Sequence, residues 1–397
     1  MRIGIDATCW ANGRGYGRYT RELVSAMAPQ VPAHELVCFL DERAGERFEL
    51  VADNVTRVTV PQTVSPTEAA SSGGRRSPRD MLRLTGAVRR AGLDVFFSPS
   101  VYGFFPLPPG LPAAVVVHDA IAERFPELTL PTMRDRVFWW MKVRLALQQA
   151  RVIVTVSDYA KAEIARYLGV PAARIRVTLE GVSAAYAPSE SQDAIRDAAR
   201  HVGLPDSARW LIYVGGFGPH KHVDVLIRAH AELARRHSDP PALLLVGPQD
   251  DGFHQDVAGL RQLIRDCGTE ALVRWPGYLP DEQLRHLHSG ALALVLASAS
   301  EGFGLPAVEA ARCGCPVVAT MASPLPSILE GGGLFVDPGD VAQLVAALQR
   351  MTTDEPARRA MARRAFERAS TLSWSKSARA ALDAIEEAAA VRLPAAV

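Results

Sequence analysis

Two glutamates, Glu301 and Glu309, flank a glycine-rich turn in the stretch Ser300-Glu301-Gly302-Phe303-Gly304-Leu305-Pro306-Ala307-Val308-Glu309-Ala310. A carboxylate that accepts two hydroxyl donors makes strong, charge-assisted contacts. Gly302 and Gly304 let the backbone pass close to a ligand. Pro306 suits the first turn of a helix and Gly314 its end. The string follows an apolar run at 292–296, so the amides of Phe303, Gly304 and Leu305 are expected at a helix N-terminus, where an anion or a sugar oxygen is welcome. Glu309 is expected in the first turn of that helix and Glu301 in the loop before it. A lone glutamate before a helix would more simply be a cap or a solvated group; the whole string argues otherwise.

Other groups stand at comparable places. Lys221 ends the turn Pro219-His220-Lys221, beyond an apolar run at 210–214, and alone would read as a surface lysine. Gly13-Arg14-Gly15-Tyr16-Gly17 reads as a flexible loop between a strand and a helix, a common arrangement. His118-Asp119 closes the run 114–117, where a capped strand end would serve as well.

Strands and helices must position these groups. Apolar runs at 2–7, 36–40, 55–60, 95–98, 114–118 and 151–156 alternate with helical patterns such as 19–28 and 158–168. This is the grammar of parallel strands with crossover helices. It restarts with runs at 210–214, 242–246, 273–275, 292–296, 316–319 and 333–335 and helices at 223–236, 283–289 and 341–351. In the last helix Asp340 is the cap, and Val341, Leu344, Val345 and Leu348 share one face. The break falls near 184–209. The 397 residues exceed one ordinary core. The expectation is an α/β chain of two doubly wound Rossmann-like domains, 1–187 and 188–372, and a C-terminal helix at 373–397. Ligands of such sheets bind beyond the carboxyl ends of the strands, and two facing sheets would hold a substrate in the cleft between them.

Apolar residues at 48 % and charged residues at 22 % describe a globular enzyme rather than a disordered chain. A net charge of +1 argues against general affinity for nucleic acid. Five scattered cysteines do not form a disulfide framework, and Cys313 and Cys315, one residue apart with no second pair nearby, do not read as a zinc site. The opening residues 1–6 read as a strand rather than a signal peptide. These features point to the cytoplasm. Residues 63–80, rich in Ser, Pro, Gly and Arg, read as a mobile loop. Residues 134–147 mix Phe138, Trp139, Trp140 and Met141 with Arg134, Arg136, Lys142 and Arg144. Core packing against the sheet is expected of this stretch. Peripheral contact with anionic lipid at the inner face of the membrane, shared with the basic stretch 75–90, is an addition suited to a lipid-linked acceptor.

The motif EGFGLPAVE resembles the two-glutamate signature of family 4 glycosyltransferases, enzymes of the GT-B architecture. The likeness runs through GYLPDEQLRHLHSGALALVLASASEGFGLPAVEAARCGCPVVAT and also covers GRGYGRYTRELV, VVVHDAIAERFPE, VIVTVSDYAKAEI and YVGGFGPHKHVDVLIRAH, nearly the full chain. The resemblance implies retaining transfer of a hexosyl group from a nucleotide-sugar to a hydroxyl of a glycan, lipid-linked or small-molecule acceptor. It implies that Glu309 binds the ribose hydroxyls and that Glu301 contacts the donor sugar. The amides of Phe303, Gly304 and Leu305 would hold sugar and diphosphate. Lys221 would bind the phosphates and stabilise the leaving nucleoside diphosphate, whose charge grows as the glycosidic bond breaks. Gly15 and Gly17 would lie against the donor phosphates, with Tyr16, Arg18 and Asp119 on the acceptor side. His118 would reach the donor sugar near its anomeric centre.

One departure stands out. The family often has an arginine where this chain has Gly216, after Gly215, so one phosphate cation is missing. His220 stands at a place that is often Arg in related sequences, and Arg18 is a candidate to supply charge from the other domain. Glu180-Gly181-Val182 stands where the family often has Asn-Gly-Val and reads as a structural turn. No second carboxylate stands out as a nucleophile, so the expected route is front-face: the leaving phosphate oxygen takes the acceptor's proton. No metal and no cofactor are implied. GDP-mannose is the first expected donor, because the turn at Lys221 is similar to that of mannosyltransferases of the family; UDP-sugars come next. The rival readings are a sugar-nucleotide epimerase of the same fold and a non-catalytic nucleotide-sugar-binding partner.

Overall fold

Apolar runs without polar alternation become strands buried on both faces, as in parallel sheets covered by helices. The computed structural model describes residues 1–64, 77–249 and 256–390. β1 (Arg2–Asp6), β2 (Glu35–Leu40), β3 (Val55–Thr59), β4 (Val95–Ser98), β5 (Ala113–Val116), β6 (Val152–Thr155) and β7 (Ile175–Val177) form one sheet in the order β3-β2-β1-β4-β5-β6-β7. β8 (Trp210–Val214), β9 (Ala242–Val246), β10 (Val273–Gly277), β11 (Ala293–Leu296), β12 (Val317–Thr320) and β13 (Gly333–Val336) form the second, in the order β10-β9-β8-β11-β12-β13. Neighbouring strands pair in parallel. The strand order reverses between β1 and β4 in one sheet and between β8 and β11 in the other. These are the switch points where doubly wound sheets take their ligands. The architecture is GT-B, two doubly wound α/β domains.

The chain divides into two compact units, Met1–Gly181 with the segment from Ser373 onward, and Val182–Leu372. In the first unit the helix Trp374–Ala390 packs on the helix Gly15–Met27 and reaches β4, β5 and β6. Its first residue fits because Gly181 has no side chain: a Cβ there would lie 2.2 Å from the Trp374 backbone nitrogen. In the second unit the helices Val223–Arg236 and Val341–Thr353 pack together. Asp340 caps the latter by accepting from the Gln343 amide at 2.9 Å.

Several local expectations change. β7 is not evident in the sequence, because it has only three residues and its central one is Arg176, whose side chain pairs with Glu387. The expected loop 63–80 lies partly outside the described residues, at 65–76; from Pro78 onward the chain is the helix Pro78–Arg90, with proline at its start. Arg75 and Arg76 of the basic stretch also lie outside the described residues, and its remainder is mainly that helix. Gly15, Tyr16 and Gly17 are not loop residues but the opening of the helix Gly15–Met27. Gly17 is required there, since a Cβ would come within 2.2 Å of the Asn12 carbonyl oxygen.

Candidate active site

In the second unit Lys221, Ser298 and Glu301 come together where β8 and β11 end. The Ala299 amide donates to the His220 carbonyl at 2.8 Å, which ties the loop after β11 to the loop after β8. Across that tie, Lys221 Nζ donates to Glu301 Oε1 at 2.8 Å, and the Ser298 hydroxyl donates to the same oxygen at 2.6 Å. Burial would raise the Glu301 carboxyl, but the Lys221 ammonium and the Ser298 hydroxyl outweigh it and hold it below the ordinary carboxylate range. Ser298 was not among the expected residues; nothing marks a serine at a strand end until its partner is placed. Lys221 sits on the short turn Pro219–Lys221. Next comes His222 at φ 48°, which among the described residues is the one non-glycine in the left-handed region. Backbone held in that region tends to accompany functional loops.

His220 supplies no charge in place of the missing arginine. Burial, with Lys221 beside it, pushes its imidazole down to about 3, so the ring is neutral at physiological pH. Gly216 accepts a hydrogen bond from the buried Tyr213 hydroxyl, and its own Cβ direction is open.

The turn before the helix Leu305–Arg312 depends on Gly304. It caps the helix at φ 88°, and a Cβ would meet the Leu325 side chain at 2.9 Å. Leu305 opens the helix, so its amide has no intrahelical acceptor. The Phe303 and Leu305 side chains are buried. Glu309 is not in the first turn as expected. The helix starts at Leu305, which puts Glu309 in the second turn, where its side chain is buried. Cys313 and Cys315 beyond it are free, buried thiols; burial pushes the Cys313 thiol up to about 12.

The first unit carries its own group of residues near its switch point. Arg21 donates to the Trp10 and Asn12 carbonyls and so holds the loop after β1. Asn12 donates to the Tyr16 hydroxyl at 2.8 Å, and Tyr16 stacks on Tyr102 with centroids 5.2 Å apart. Tyr102 in turn meets Trp139 at 5.2 Å, and the Trp139 indole donates to Glu123 at 2.7 Å. Burial raises the Glu123 carboxyl to about 7; the Trp139 hydrogen bond opposes that shift and nearby Asp119 adds to it. Asp119 also accepts from the Ile121 amide at 3.0 Å, opening the short helix Ile121–Arg124. Arg18 lies on the helix Gly15–Met27, one turn beyond Arg14. Tyr102, Glu123 and Trp139 join Tyr16 and Asp119 here, a grouping the sequence does not announce because three separate segments bring it together.

His118 turns toward its own unit. Its Nε2 donates to the Pro99 carbonyl at 3.1 Å, and its Nδ1 lies 3.8 Å from the buried carboxylate of Glu180. The ring of Tyr19 meets it edge-on at 4.8 Å. Glu180, expected only as part of a turn, therefore places its carboxylate close to the His118 ring. Among the described residues no group of three or more His, Cys, Asp or Glu is arranged to hold a metal ion.

Residues 13–186 match the family described as Glycosyltransferase Family 4, and residues 195–368 match Glycosyl transferases group 1. The chain is 30 % identical to O-antigen chain mannosyltransferase B of Escherichia coli, over 91 % of this chain and 92 % of that protein. It is 28 % identical to D-inositol 3-phosphate glycosyltransferase of Nocardioides sp., over 98 % and 84 %. Its fold is similar to that of WaaG, a glycosyltransferase involved in lipopolysaccharide biosynthesis (TM-score 0.71, 18 % identity, 97 % of this chain and 99 % of that one). Anabaena HepE in complex with UDP-glucose is comparable, with TM-score 0.72, 19 % identity and coverage of 97 % and 99 %.

Proposed function

The chain belongs to the group 1 glycosyl transferases of glycosyltransferase family 4, and from that premise we propose that it transfers a mannosyl group from GDP-mannose to a hydroxyl of a glycan or lipid-linked acceptor, with retention and without a metal ion. Membership makes it a glycosyltransferase that uses a nucleotide-sugar. Mannose is supported by the name of the Escherichia coli relative and by the Pro219-His220-Lys221 turn.

The observation that carries the reading is the Lys221–Glu301–Ser298 group at the β8/β11 switch point. An ammonium has three donors, so Lys221 can keep its bond to Glu301 and still give two to phosphate oxygens. Both bonds to Glu301 land on Oε1, so the lone pairs of Oε2 are not consumed by them and can accept sugar hydroxyls. A fixed cation there stabilises charge that develops only as the glycosidic bond breaks, which lowers the barrier more than it tightens ground-state binding. Glu309 is assigned to the ribose, and the amides of Phe303, Gly304 and Leu305 to sugar and diphosphate. In the first unit Tyr16, Arg18 and Asp119 are assigned to the acceptor, with Tyr102 and Glu123 beside them, and His118 to the donor sugar. The leaving phosphate oxygen takes the acceptor's proton, so no protein base is needed.

A panel of GDP- and UDP-sugars, followed by release of nucleoside diphosphate, tests the donor. GDP-mannose should be consumed fastest, chelator should leave the rate unchanged, and the new linkage should keep the donor's anomeric configuration by NMR. Preference for a UDP-sugar would overturn the donor assignment, and an inverted product the mechanism.

A further inference from the structure

The helix Met133–Gln149 carries two apolar faces. Trp139, Val143 and Ala146 are buried in the core of the first unit, beside Val115 of β5. On the far side Met133, Val137, Trp140, Met141 and Leu145 recur at helical spacing and face solvent; Met133 is 71 % exposed, Val137 53 % and Trp140 61 %. The expected core packing therefore holds for Trp139 and fails for Phe138, Trp140 and Met141. Contiguous apolar surface of this kind marks an interaction site on a folded protein. Cations are interleaved with it. The Arg134 guanidinium lies 5.7 Å from the Phe138 ring centroid and that of Arg144 5.6 Å from the Trp140 ring. The helix has one acid, Asp135, which accepts from the Thr132 hydroxyl at its N-terminal cap.

We propose that this face docks on an anionic lipid bilayer, with the helix lying in the plane of the interface. Trp140, Val137 and Met133 would enter the headgroup–acyl boundary, where indole rings prefer to sit. Arg134 and Arg144 would lay their stems along the apolar surface and present their heads to lipid phosphates. No helix among the described residues is long and apolar enough to cross a membrane, so the contact is peripheral. Charge selects this occupant over a second copy of the chain: a two-fold self-contact would press the same cation-rich face, with its one helical acid, against itself, whereas an anionic surface neutralises the cations. The proposal stands whichever donor the enzyme uses.

The test is co-sedimentation of the full chain with phosphatidylcholine vesicles, with and without phosphatidylglycerol. Anionic vesicles should carry the protein down and zwitterionic ones should not. Arg134→Glu with Arg144→Glu should weaken partitioning roughly tenfold or more. Val137→Ser with Trp140→Ser should weaken it as well, and because these side chains are exposed, thermal stability and transfer to a soluble acceptor should stay unchanged. Failure of the parent chain to bind anionic vesicles would overturn the proposal, as would equal binding by the variants. A concentration-dependent dimer in light scattering, dissolved by the same substitutions, would assign the face to a second copy instead.

Discussion

Lys221 and Glu301 neutralise each other where neither is fully hydrated, so each substitution also changes its partner. Lys221→Ala removes the proposed phosphate cation. With Gly216 in place of a second one, turnover should fall about a hundredfold or more, while nucleoside affinity falls much less; about 1.4 kcal/mol is worth a factor of ten. Turnover and nucleotide titration on the same preparation check this, and parent-like turnover would place the phosphate site elsewhere. Glu309→Gln should cost nucleotide affinity about 1–3 kcal/mol, the scale of a lost charged hydrogen bond, as read by calorimetry. Gly216→Arg is the constructive counterpart. The Cβ direction is open, so the variant should fold and bind nucleoside diphosphate several-fold tighter, the scale of a partly screened ion pair; unchanged affinity would mean that the side chain does not reach the phosphates. Residue types in EGFGLPAVE were enough to nominate Glu301, Glu309 and the turn glycines. The sequence could not show that His220 is neutral or that Glu180 faces His118, because desolvation and long-range pairing depend on what packs around a residue.

At the level of elements, buried imidazoles make the second unit sensitive to acid. His288, on the helix Asp281–Gly290, is pushed from 6.5 down to about 3 by burial. His220 shifts the same way, as does His230, which lies buried on the helix Val223–Arg236. Between about 3 and 6.5 the unfolded chain binds the proton and folded His288 does not, so its contribution to stability is complete above 6.5 and declines as pH falls through that window. For a fully buried ring the loss is about 2 kcal/mol by about pH 5. Denaturant titrations across this range should show stability falling with acid, with a shallower slope in His288→Leu; an identical slope would remove His288 as a source. The turn at Gly304 belongs to the same scale. Gly304→Ala forces a side chain into the left-handed region and against Leu325, and should destabilise by about 1–2 kcal/mol in the same assay.

Over the whole molecule the chain leaves the first unit after Gly181 and returns to it at Ser373. The returning helix starts with Trp374, whose ring approaches Tyr19 at 5.9 Å, and Tyr19 in turn contacts His118. Gly181→Val would drive a side chain into the Trp374 backbone and should cost about 1–3 kcal/mol, the usual range for overpacking. Thermal denaturation should show the loss, while nucleotide affinity, assigned to the second unit, should hold. A parallel fall in nucleotide affinity would contradict that assignment.

Both Rossmann-like sheets are legible in the sequence, because buried parallel strands read as continuous apolar runs such as WLIYV and ALLLV and turns announce themselves through glycine and proline. The two-glutamate string was legible for a similar reason: its spacing is local and its residue types are uncommon in combination. Contacts across long separations were not. The stack from Tyr16 through Tyr102 to Trp139 and Glu123, the Lys221–Glu301 pair and the strand Ile175–Val177 each depend on segments brought together by strand order. The aromatic helix shows the limit most directly. Its composition suits a buried element and a membrane-facing one equally, and only the side on which the sheet lies separates Trp139 in the core from Trp140 in solvent.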